Sequence, residues 1–323
     1  MEVSPRDGLQ NEPNILPIPV KAELIRKLVD LGLRHIEVGS FVSPKWVPQM
    51  ASTAEIICHP DIISSKLGSN PTFSVLMPNR KGLDGFKAAN FEESPHREPV
   101  VDEIALFASA TEGFSQANLN SSVSDSIEKM RPVAEEAQRL GLTIRGYVSC
   151  VFGCPFEGKV DFKQVASVSQ ALFDLGCYEV AISDTIGVAV PSQVTDCLDH
   201  MIKSGIDPGR LGIHCHDTFG TSLANILTAV SLGVKTVDSS IGGIGGCPYS
   251  PDVATEDVVY ALESSGYSTG ILDVLGNDPA LLKKLEPLAD AGNWINSNLG
   301  RSNSSRVGRA VLARKSRREK QAS

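Results

Sequence analysis

Eight short runs rich in apolar and β-branched residues punctuate the chain between residues 2 and 243. Runs of this length, bounded by glycine, proline and polar residues, are typical of buried β-strands. We therefore predict eight strands, with the sequences EVSP (2–5), HIEVGSF (35–41), FSVLMP (73–78), EIALFAS (103–109), TIRGYVSCVFG (143–153), EVAISDTIG (179–187), LGIHCHD (211–217) and TVDSSIGG (236–243).

A longer stretch follows each run, and its apolar positions recur with the spacing of an amphipathic helix. Several of these stretches end at a glycine, which favours the left-handed conformation that closes many helices. The eight predicted helices lie in VKAELIRKLVDLG, MASTAEIIC, RKGLDGFKAAN, SDSIEKMRPVAEEAQRLG, DFKQVASVSQALFDLG, PSQVTDCLDHMIKSG, TSLANILTAVSLG and ATEDVVYALESSG.

Eight strand–helix pairs within residues 1–267 predict an α/β fold of the (β/α)8 or TIM-barrel type, whose usual length is about 250 residues. An open, doubly wound sheet is the alternative, but the glycine-rich phosphate turn typical of that fold does not follow the first run. We expect extra C-terminal helices at residues 268–313, as an extension of the barrel. Residues 314–323 contain RKSRREK, and we expect a disordered basic tail there.

Composition narrows the classes of function. The formal net charge of −8 argues against a nucleic-acid-binding protein, which would present a clustered basic face. No apolar run approaches the roughly 18 residues of a membrane span, so we expect no membrane partner. The seven cysteines are odd in number and scattered, which favours a reducing compartment over a disulfide framework. No signal or transit segment precedes the first run; either there is none, or the chain begins inside a longer precursor.

Chemically capable side chains cluster at the ends of the predicted strands. In (β/α)8 barrels the C-terminal strand ends and the loops after them form the active site, so we expect these residues to share one mouth of the barrel. We predict Cys247, Arg6, Glu37 and Asp184 as catalytic residues, Arg6, Ser40 and Tyr147 as substrate-binding residues, and Asp7, His214 and His216 as metal ligands.

The metal prediction rests on the alternation of side chains along a strand, which turns His214 and His216 to the same face. Two imidazoles and the carboxylate of Asp7 form a mixed nitrogen and oxygen set for a divalent cation, Mg²⁺ or Mn²⁺. Arg6 would stabilise an oxyanion beside that cation. The alternative for Arg6 is a salt bridge to Glu37 or Asp184.

The stretch GGIGGCPYSPDVATED (242–257) places Cys247 in a glycine-rich loop ahead of a predicted helix. Glycine gives the loop backbone freedom, which is typical of an active-site lid. The alternative is a buried thiol at the entrance of the helix. Asp252 or Thr255 could cap that helix.

Six strings resemble the 3-hydroxy-3-methylglutaryl-CoA lyase family, within the wider group of metal-dependent lyases and Claisen-type synthases. The resemblance covers residues 2 to about 310, and its strings are SPRDGLQNE (4–12), FVSPKWVPQM (41–50), YVSCVFGCPFEGKV (147–160), SDTIG (183–187), HCHDT (214–218) and GGCPYSP with VATEDVVY (245–260).

The resemblance implies retro-Claisen cleavage of 3-hydroxy-3-methylglutaryl-CoA to acetyl-CoA and acetoacetate, a step of leucine degradation and ketone-body formation. It implies that Asp7, His214 and His216 hold the cation, that Arg6 stabilises the enolate, and that Cys247 takes part in proton transfer. It assigns Glu37 and Asp184 to support or proton relay. It further implies an acyl-CoA substrate, a homodimer and a mitochondrial matrix address, with the cytoplasm as the alternative.

The chain departs from the family pattern after Cys247. The family reads GCPYA-x-GASGN before ATED, with its asparagine as a further metal ligand, whereas SPDVATED here is about four residues shorter. Asp252 stands where that asparagine would be, so it either replaces the ligand or caps the helix. The departure leaves two alternatives to an active lyase: a condensing enzyme or aldolase of the wider group, or a catalytically impaired binding subunit.

Overall fold

The structure of the protein is a computed structural model that describes residues 1–92, 99–247, 250–276 and 278–322; the side chains of residues 246, 247, 250 and 322 are not described. Across those ranges no helix has both the length and the apolar character needed to cross a bilayer.

Seven parallel strands form one sheet in which neighbours in space are neighbours in the chain. Parallel neighbours need a crossover connection, and helices fill these crossovers. The strands are β1 (His35–Ser40), β2 (Thr72–Leu76), β3 (Glu103–Ser109), β4 (Thr143–Ser149), β5 (Glu179–Asp184), β6 (Leu211–Cys215) and β7 (Thr236–Asp238); a separate antiparallel pair consists of β8 (Gly246–Cys247) and β9 (Ser250–Pro251).

The described helices cover the outside of the sheet and continue past it. They are α1 (Ile18–Asp30), α2 (Thr53–Ile57), α3 (Pro60–Ser69), α4 (Arg80–Lys87), α5 (Glu112–Leu119), α6 (Val123–Arg139), α7 (Phe162–Asp174), α8 (Pro191–Lys203), α9 (Ser222–Ser231), α10 (Thr255–Ser264), α11 (Leu281–Lys284), α12 (Glu286–Leu299) and α13 (Arg306–Ala322). Single turns lie at Ser4–Gly8, Pro48–Met50, Ala88–Glu92, Pro208–Arg210 and Ile241–Gly243.

The N-terminus joins the two edges of the sheet. Glu2 forms parallel bridges to Ile36 of β1 and to Ser239 just after β7. The Glu2 backbone N–H donates to His35 O and the Val3 N–H donates to Ser239 O, both at 2.9 Å. The seven strands and this bridge therefore form a closed ring.

The first predicted strand, residues 2–5, is wrong as a strand of that length. Its backbone pairs with the sheet only around Glu2, and from Ser4 the chain turns into the buried π-type turn Ser4–Gly8. Pro5 lacks the N–H that a central strand needs, which explains why pairing stops there. The other seven predicted runs each contain a strand of the sheet.

The sheet is buried on both faces, as expected for parallel strands under a helical layer. All six residues of β5 are buried. The main apolar core lies between the sheet and the helices. A second, small apolar cluster contains Ala105, Tyr147 and Ala181 from neighbouring strands. Beside it lie buried charged groups, which belong to the site described below.

The expectation of a disordered tail at residues 314–323 is wrong for the part of it that the structure describes. Residues 306–322 form the single helix α13, which packs on α12 and α10. Its basic side chains pair with acids of α12: Lys315 with Asp290 at 2.8 Å and Arg318 with Glu286 at 2.6 Å. The charges that suggested a solvated tail are therefore partly neutralised by α12.

Candidate metal centre and active site

Four buried side chains converge at the end of β6. Asp7 comes from the N-terminal turn, His214 lies on β6, His216 follows it, and Asp252 follows β9. Each offers a ligand atom, and these atoms lie within 4.8 Å of one another. His214 Nε2 is 3.4 Å from His216 Nε2 and 3.3 Å from Asp7 Oδ2. His216 Nε2 is 3.1 Å from Asp252 Oδ1.

The strand geometry explains why the two imidazoles meet. Alternate residues of β6 and its extension point to one side, so both rings face the same end of the ring of strands. The outer nitrogens have partners that accept hydrogen bonds: His216 Nδ1 lies 2.7 Å from Thr185 O, and His214 Nδ1 lies 3.2 Å from Asp238 Oδ2. Both Nδ1 atoms therefore carry the hydrogen, and both Nε2 atoms are directed to the cluster.

Asp252 belongs to this cluster rather than to the helix start. It forms an antiparallel bridge with His216, while α10 begins at Thr255 with Ala254 as N-cap and no side-chain cap. Asp252 Oδ2 is buried and has no hydrogen-bond partner among the described residues. Burial and the nearby charge of Asp7 raise the pKa of Asp252. A buried acceptor without a donor, beside two imidazoles and a second carboxylate, fits a divalent cation.

The charges around the cluster are strongly coupled. Burial opposes ionisation of Asp7, but Arg6 outweighs it and holds the pKa of that carboxyl well below its usual range. Burial also opposes protonation of His214, yet hydrogen bonds to Asp238 and Asp7 raise its pKa to about 9. The arrangement thus stabilises positive charge at the centre.

Arg6 adopts the salt bridge considered as its alternative and still lies at the cluster. Its Nε is 2.5 Å from Glu37 Oε2 and its Nη1 is 2.7 Å from Asp7 Oδ1. These contacts hold the guanidinium beside a predicted metal ligand. Burial raises the pKa of Glu37 against the opposing effect of Arg6.

Tyr147 lies within the same network, although it was predicted as a substrate-binding residue. Its side chain is buried, its ring faces the Arg6 guanidinium at 5.5 Å, and its hydroxyl lies 3.5 Å from Glu37 Oε2. The ring also meets the His214 ring edge to face, with centroids 6.2 Å apart. These contacts connect Tyr147 to Arg6, Glu37 and His214 from inside the ring of strands.

The structure places Asp184 and Ser40 in local contacts. Both carboxylate oxygens of Asp184 accept from backbone N–H groups of the following loop, Val188 at 3.1 Å and Ala189 at 2.9 Å. The Ser40 hydroxyl donates to Leu76 O and accepts from the Val42 N–H, each at 3.2 Å. These two residues shape the loops after β5 and β1.

Cys247 lies on β8, opposite Ser250 of β9, but its side chain is outside the described part of the structure. The loop before it rests on the Arg6–Asp7 turn: a Cβ on Gly245 would come within 2.1 Å of Gly8 O, and Gly245 has φ +84°. Glycine at 245 permits this close approach.

Three buried charged residues of the site were missed from the sequence: Arg145, Glu179 and Asp238. Arg145 sits two residues before Tyr147 in a predicted strand, so alternation could have placed both on one face. A charge at such a position indicates an ionic group inside the ring, although its partners come from distant strands.

Comparisons with known proteins show which family the chain resembles along its length. The HMGL-like family model matches residues 1–274. A relative named mitochondrial hydroxymethylglutaryl-CoA lyase from Macaca fascicularis is 42% identical, covering 96% of this chain and 88% of its own length. A relative named hydroxymethylglutaryl-CoA lyase from Pseudomonas mevalonii is also 42% identical, with 98% and 97% covered. The same similarity thus extends to a relative named mitochondrial and to a bacterial one.

A solved structure of hydroxymethylglutaryl-CoA lyase from Pseudomonas aeruginosa superposes with a TM-score of 0.84 at 41% identity, covering 97% of both chains. Sequence and fold therefore agree along nearly the whole length, and the chain belongs to the HMGL-like family.

Proposed function

We propose that this protein is a metal-dependent carbon–carbon lyase that cleaves 3-hydroxy-3-methylglutaryl-CoA to acetyl-CoA and acetoacetate. The observation that carries the proposal is the buried cluster of Asp7, His214, His216 and Asp252 beside Arg6, in a chain 42% identical over nearly its whole length to hydroxymethylglutaryl-CoA lyases. The fold is that of a (β/α)8 barrel whose first strand is reduced to the bridge at Glu2.

The four residues of the cluster would hold Mg²⁺ or Mn²⁺. When bound, the cation supplies Lewis-acid polarisation of substrate oxygens. The second carboxylate distinguishes this site from the family pattern, in which an asparagine precedes the ATED sequence. An additional negative charge favours a hard divalent cation.

Arg6 binds the thioester carbonyl and stabilises negative charge on its oxygen as the carbon–carbon bond breaks. A guanidinium keeps its charge and presents several donors in a plane, which suits an oxyanion. Glu37 and Asp7 orient Arg6 through its Nε and one Nη.

The reaction requires two proton movements. The tertiary hydroxyl loses its proton as the electrons of the adjacent carbon–carbon bond move to the thioester carbonyl, which yields acetoacetate and the enolate of acetyl-CoA. The enolate carbon then takes a proton to give acetyl-CoA. Cys247 on the hairpin is our candidate for proton transfer, and Glu37 our candidate for proton relay. Asp184 would support the site through its loop contacts.

Acetoacetate release by the purified protein, with and without Mg²⁺ or Mn²⁺, tests the proposal. We expect turnover only with the cation, and a loss of about 10²-fold or more in kcat for Arg6→Ala. Arg6→Lys should not restore the rate, because a point ammonium cannot replace the planar donors. Metal-independent activity, or a lysine variant as active as the parent, would contradict these roles.

If the protein is an impaired binding subunit, we expect it to bind metal without releasing acetoacetate. If it is a condensing enzyme of the wider group, we expect it to turn over another acyl donor. The acetoacetate assay therefore separates the lyase from the other two candidates, and a metal-binding titration together with assays of other acyl-CoA substrates separates those two from each other. The predicted homodimer is part of the proposal as well. The molar mass from light scattering coupled to size-exclusion chromatography tests it.

A further inference from the structure

Inside the ring of strands, the fully buried guanidinium of Arg145 contacts residues that lead to His214 on one side and to Arg6 on the other. Arg145 on β4 donates to both oxygens of Asp238, at 2.8 and 3.1 Å, and to Glu179 Oε1 at 2.8 Å. It also donates to the Tyr147 hydroxyl at 2.8 Å. A buried charge is tolerated only with such partners, so Arg145 is held in one position and in turn fixes the groups it touches.

The first branch leads from Arg145 through Asp238 to His214. Asp238 is engaged by two guanidinium nitrogens, and its Oδ2 lies 3.2 Å from His214 Nδ1. An ionised carboxylate only accepts hydrogen bonds, so Nδ1 of His214 carries the hydrogen. Nε2 is then available to the cluster. The branch sets the tautomer and the ring angle of a predicted metal ligand.

The second branch leads from Arg145 through Tyr147 and Glu37 to Arg6. Because Arg145 donates to the Tyr147 oxygen, the hydroxyl hydrogen is free to point to Glu37 Oε2, 3.5 Å away. The same Glu37 oxygen accepts from Arg6 Nε. The Tyr147 ring also faces both guanidinium groups, at 4.9 Å from Arg145 and 5.5 Å from Arg6.

We propose that Arg145 is a positioning residue that fixes the metal ligand His214 and the oxyanion-binding Arg6 relative to each other, through Asp238 and Tyr147 as two separable branches. This inference rests on the proposed function, in which the cation and Arg6 act on different oxygens of one substrate. Their separation then controls the rate. It also makes Tyr147 a positioning residue rather than a substrate-binding one.

Two single-atom changes separate the branches. In Asp238→Asn the amide oxygen is needed by Arg145, so the NH2 group faces His214 Nδ1 and forces the hydrogen onto Nε2. We expect Mn²⁺ affinity, measured by electron paramagnetic resonance on protein stripped of metal, to fall about 10–100-fold. Tyr147→Phe should leave Mn²⁺ affinity within about twofold of the parent and lower kcat by about tenfold or more, because it disturbs only the Arg6 side.

Tyr178→Phe is the matched control. It also removes a tyrosine hydroxyl that donates to a buried glutamate, Glu103, at 2.8 Å, but lies before β5 and away from the cluster. We expect parent values of Mn²⁺ affinity and kcat for it. Arg145→Lys, which keeps the charge but cannot serve all its partners, should lower both quantities.

Parent-like Mn²⁺ affinity in Asp238→Asn, or parent-like kcat in Tyr147→Phe, would overturn the corresponding branch. If Asp238→Asn does not fold, parent-like Mn²⁺ affinity in Arg145→Lys overturns the first branch in its place. A parent protein that binds no Mn²⁺ overturns the proposed metal-dependent function itself, so the two failures are distinguishable.

Discussion

The candidate metal site assembles side chains from three segments that are distant in sequence: the N-terminal turn, the end of β6 and the segment after β9. Asp252 joins it through a backbone bridge to His216, reinforced by a hydrogen bond from the Asp217 N–H to Pro251 O at 2.8 Å. The residue after the hairpin is therefore held at the centre by main-chain contacts, and its side chain needs only to point inward.

Asp252 should act as a ligand whose charge matters as well as its oxygen. We expect Asp252→Asn to bind Mn²⁺ with reduced affinity. In Asp252→Ala the affinity should be about tenfold or more lower than in Asp252→Asn, since a coordinating oxygen is removed. Calorimetric titration of metal-free protein with Mn²⁺ measures both. Equal affinity in the parent and Asp252→Ala would show that Asp252 is not a ligand.

His214 should make metal binding depend on pH. Burial disfavours its protonation, but Asp238 and Asp7 raise its pKa to about 9, so the metal-free protein carries a proton there below that pH. A cation must displace this proton. Affinity for Mn²⁺ should therefore rise with pH by about tenfold per unit for each proton released and level off near pH 9. Titrations in buffers of different ionisation enthalpy count the protons; a flat profile from pH 6 to 8 would contradict the prediction.

At the scale of elements, the hairpin of β8 and β9 connects the predicted lid to the metal cluster. Gly245 lies against the Ser4–Gly8 turn, Cys247 is on β8, and Asp252 follows β9. A movement of the hairpin would therefore be transmitted to Asp252. Asp252 directly follows β9, so the short loop after Cys247 brings this carboxylate next to the hairpin.

Cys247 should react first among the seven cysteines with an alkylating reagent, and substrate analogue plus metal should slow that reaction. Burial raises the pKa of Cys150, Cys177 and Cys197 to about 12, which makes these thiols poor nucleophiles. Peptide mass spectrometry after a limiting dose of iodoacetamide identifies the first site.

Cys58→Ser is the control for that experiment, since Cys58 is the partly exposed cysteine among the six whose side chains are described. Loss of activity should follow Cys247 labelling in this variant too. Labelling of Cys247 without loss of turnover, or an unreactive Cys247, would remove the lid role.

At the scale of the whole molecule, the C-terminal helix α13 is attached to the barrel through contacts with α10. Asp257 near the start of α10 accepts hydrogen bonds from Ser305 Oγ at 2.5 Å and from the N–H groups of Arg306 and Val307 at 3.1 and 2.8 Å. It thereby acts as a cap for α13 supplied from another helix. The distal part of α13 contacts α12 through ion pairs that are only partly exposed.

We expect Asp257→Ala to destabilise the fold by about 2 kcal/mol or more, because three donors to a buried carboxylate lose their acceptor. Truncation after Ala313 should change stability by no more than about 1–2 kcal/mol, since it removes mostly exposed side chains and two partly exposed ion pairs. Urea denaturation followed by circular dichroism measures both. The reverse order of these effects would show that the distal half of α13 anchors the C-terminus.

Local sequence patterns were sufficient for most of the fold. Seven of the eight predicted runs contain strands of one parallel sheet, because apolar runs flanked by turn residues reflect burial on both faces. The prediction of a strand at residues 2–5 was wrong because only Glu2 pairs with β1 and with the residue after β7, and Pro5 interrupts the run. The prediction of a disordered tail was wrong because the acidic residues that pair with its basic residues lie on α12, which the local sequence does not show.

The sequence alone determined the nearby parts of the site: the His214–His216 pair on one face and the adjacent Arg6 and Asp7 after the first run, each set by a spacing of one or two residues. Only the tertiary structure decided that Asp252 joins the cluster instead of capping α10, that Asp184 holds a loop, and that Arg145 links Asp238 to Tyr147. Spacing fixes which side chains share a face of one element. The pairing of buried charges depends on which distant elements the closed ring brings within hydrogen-bond distance, and that is settled only when the strands meet.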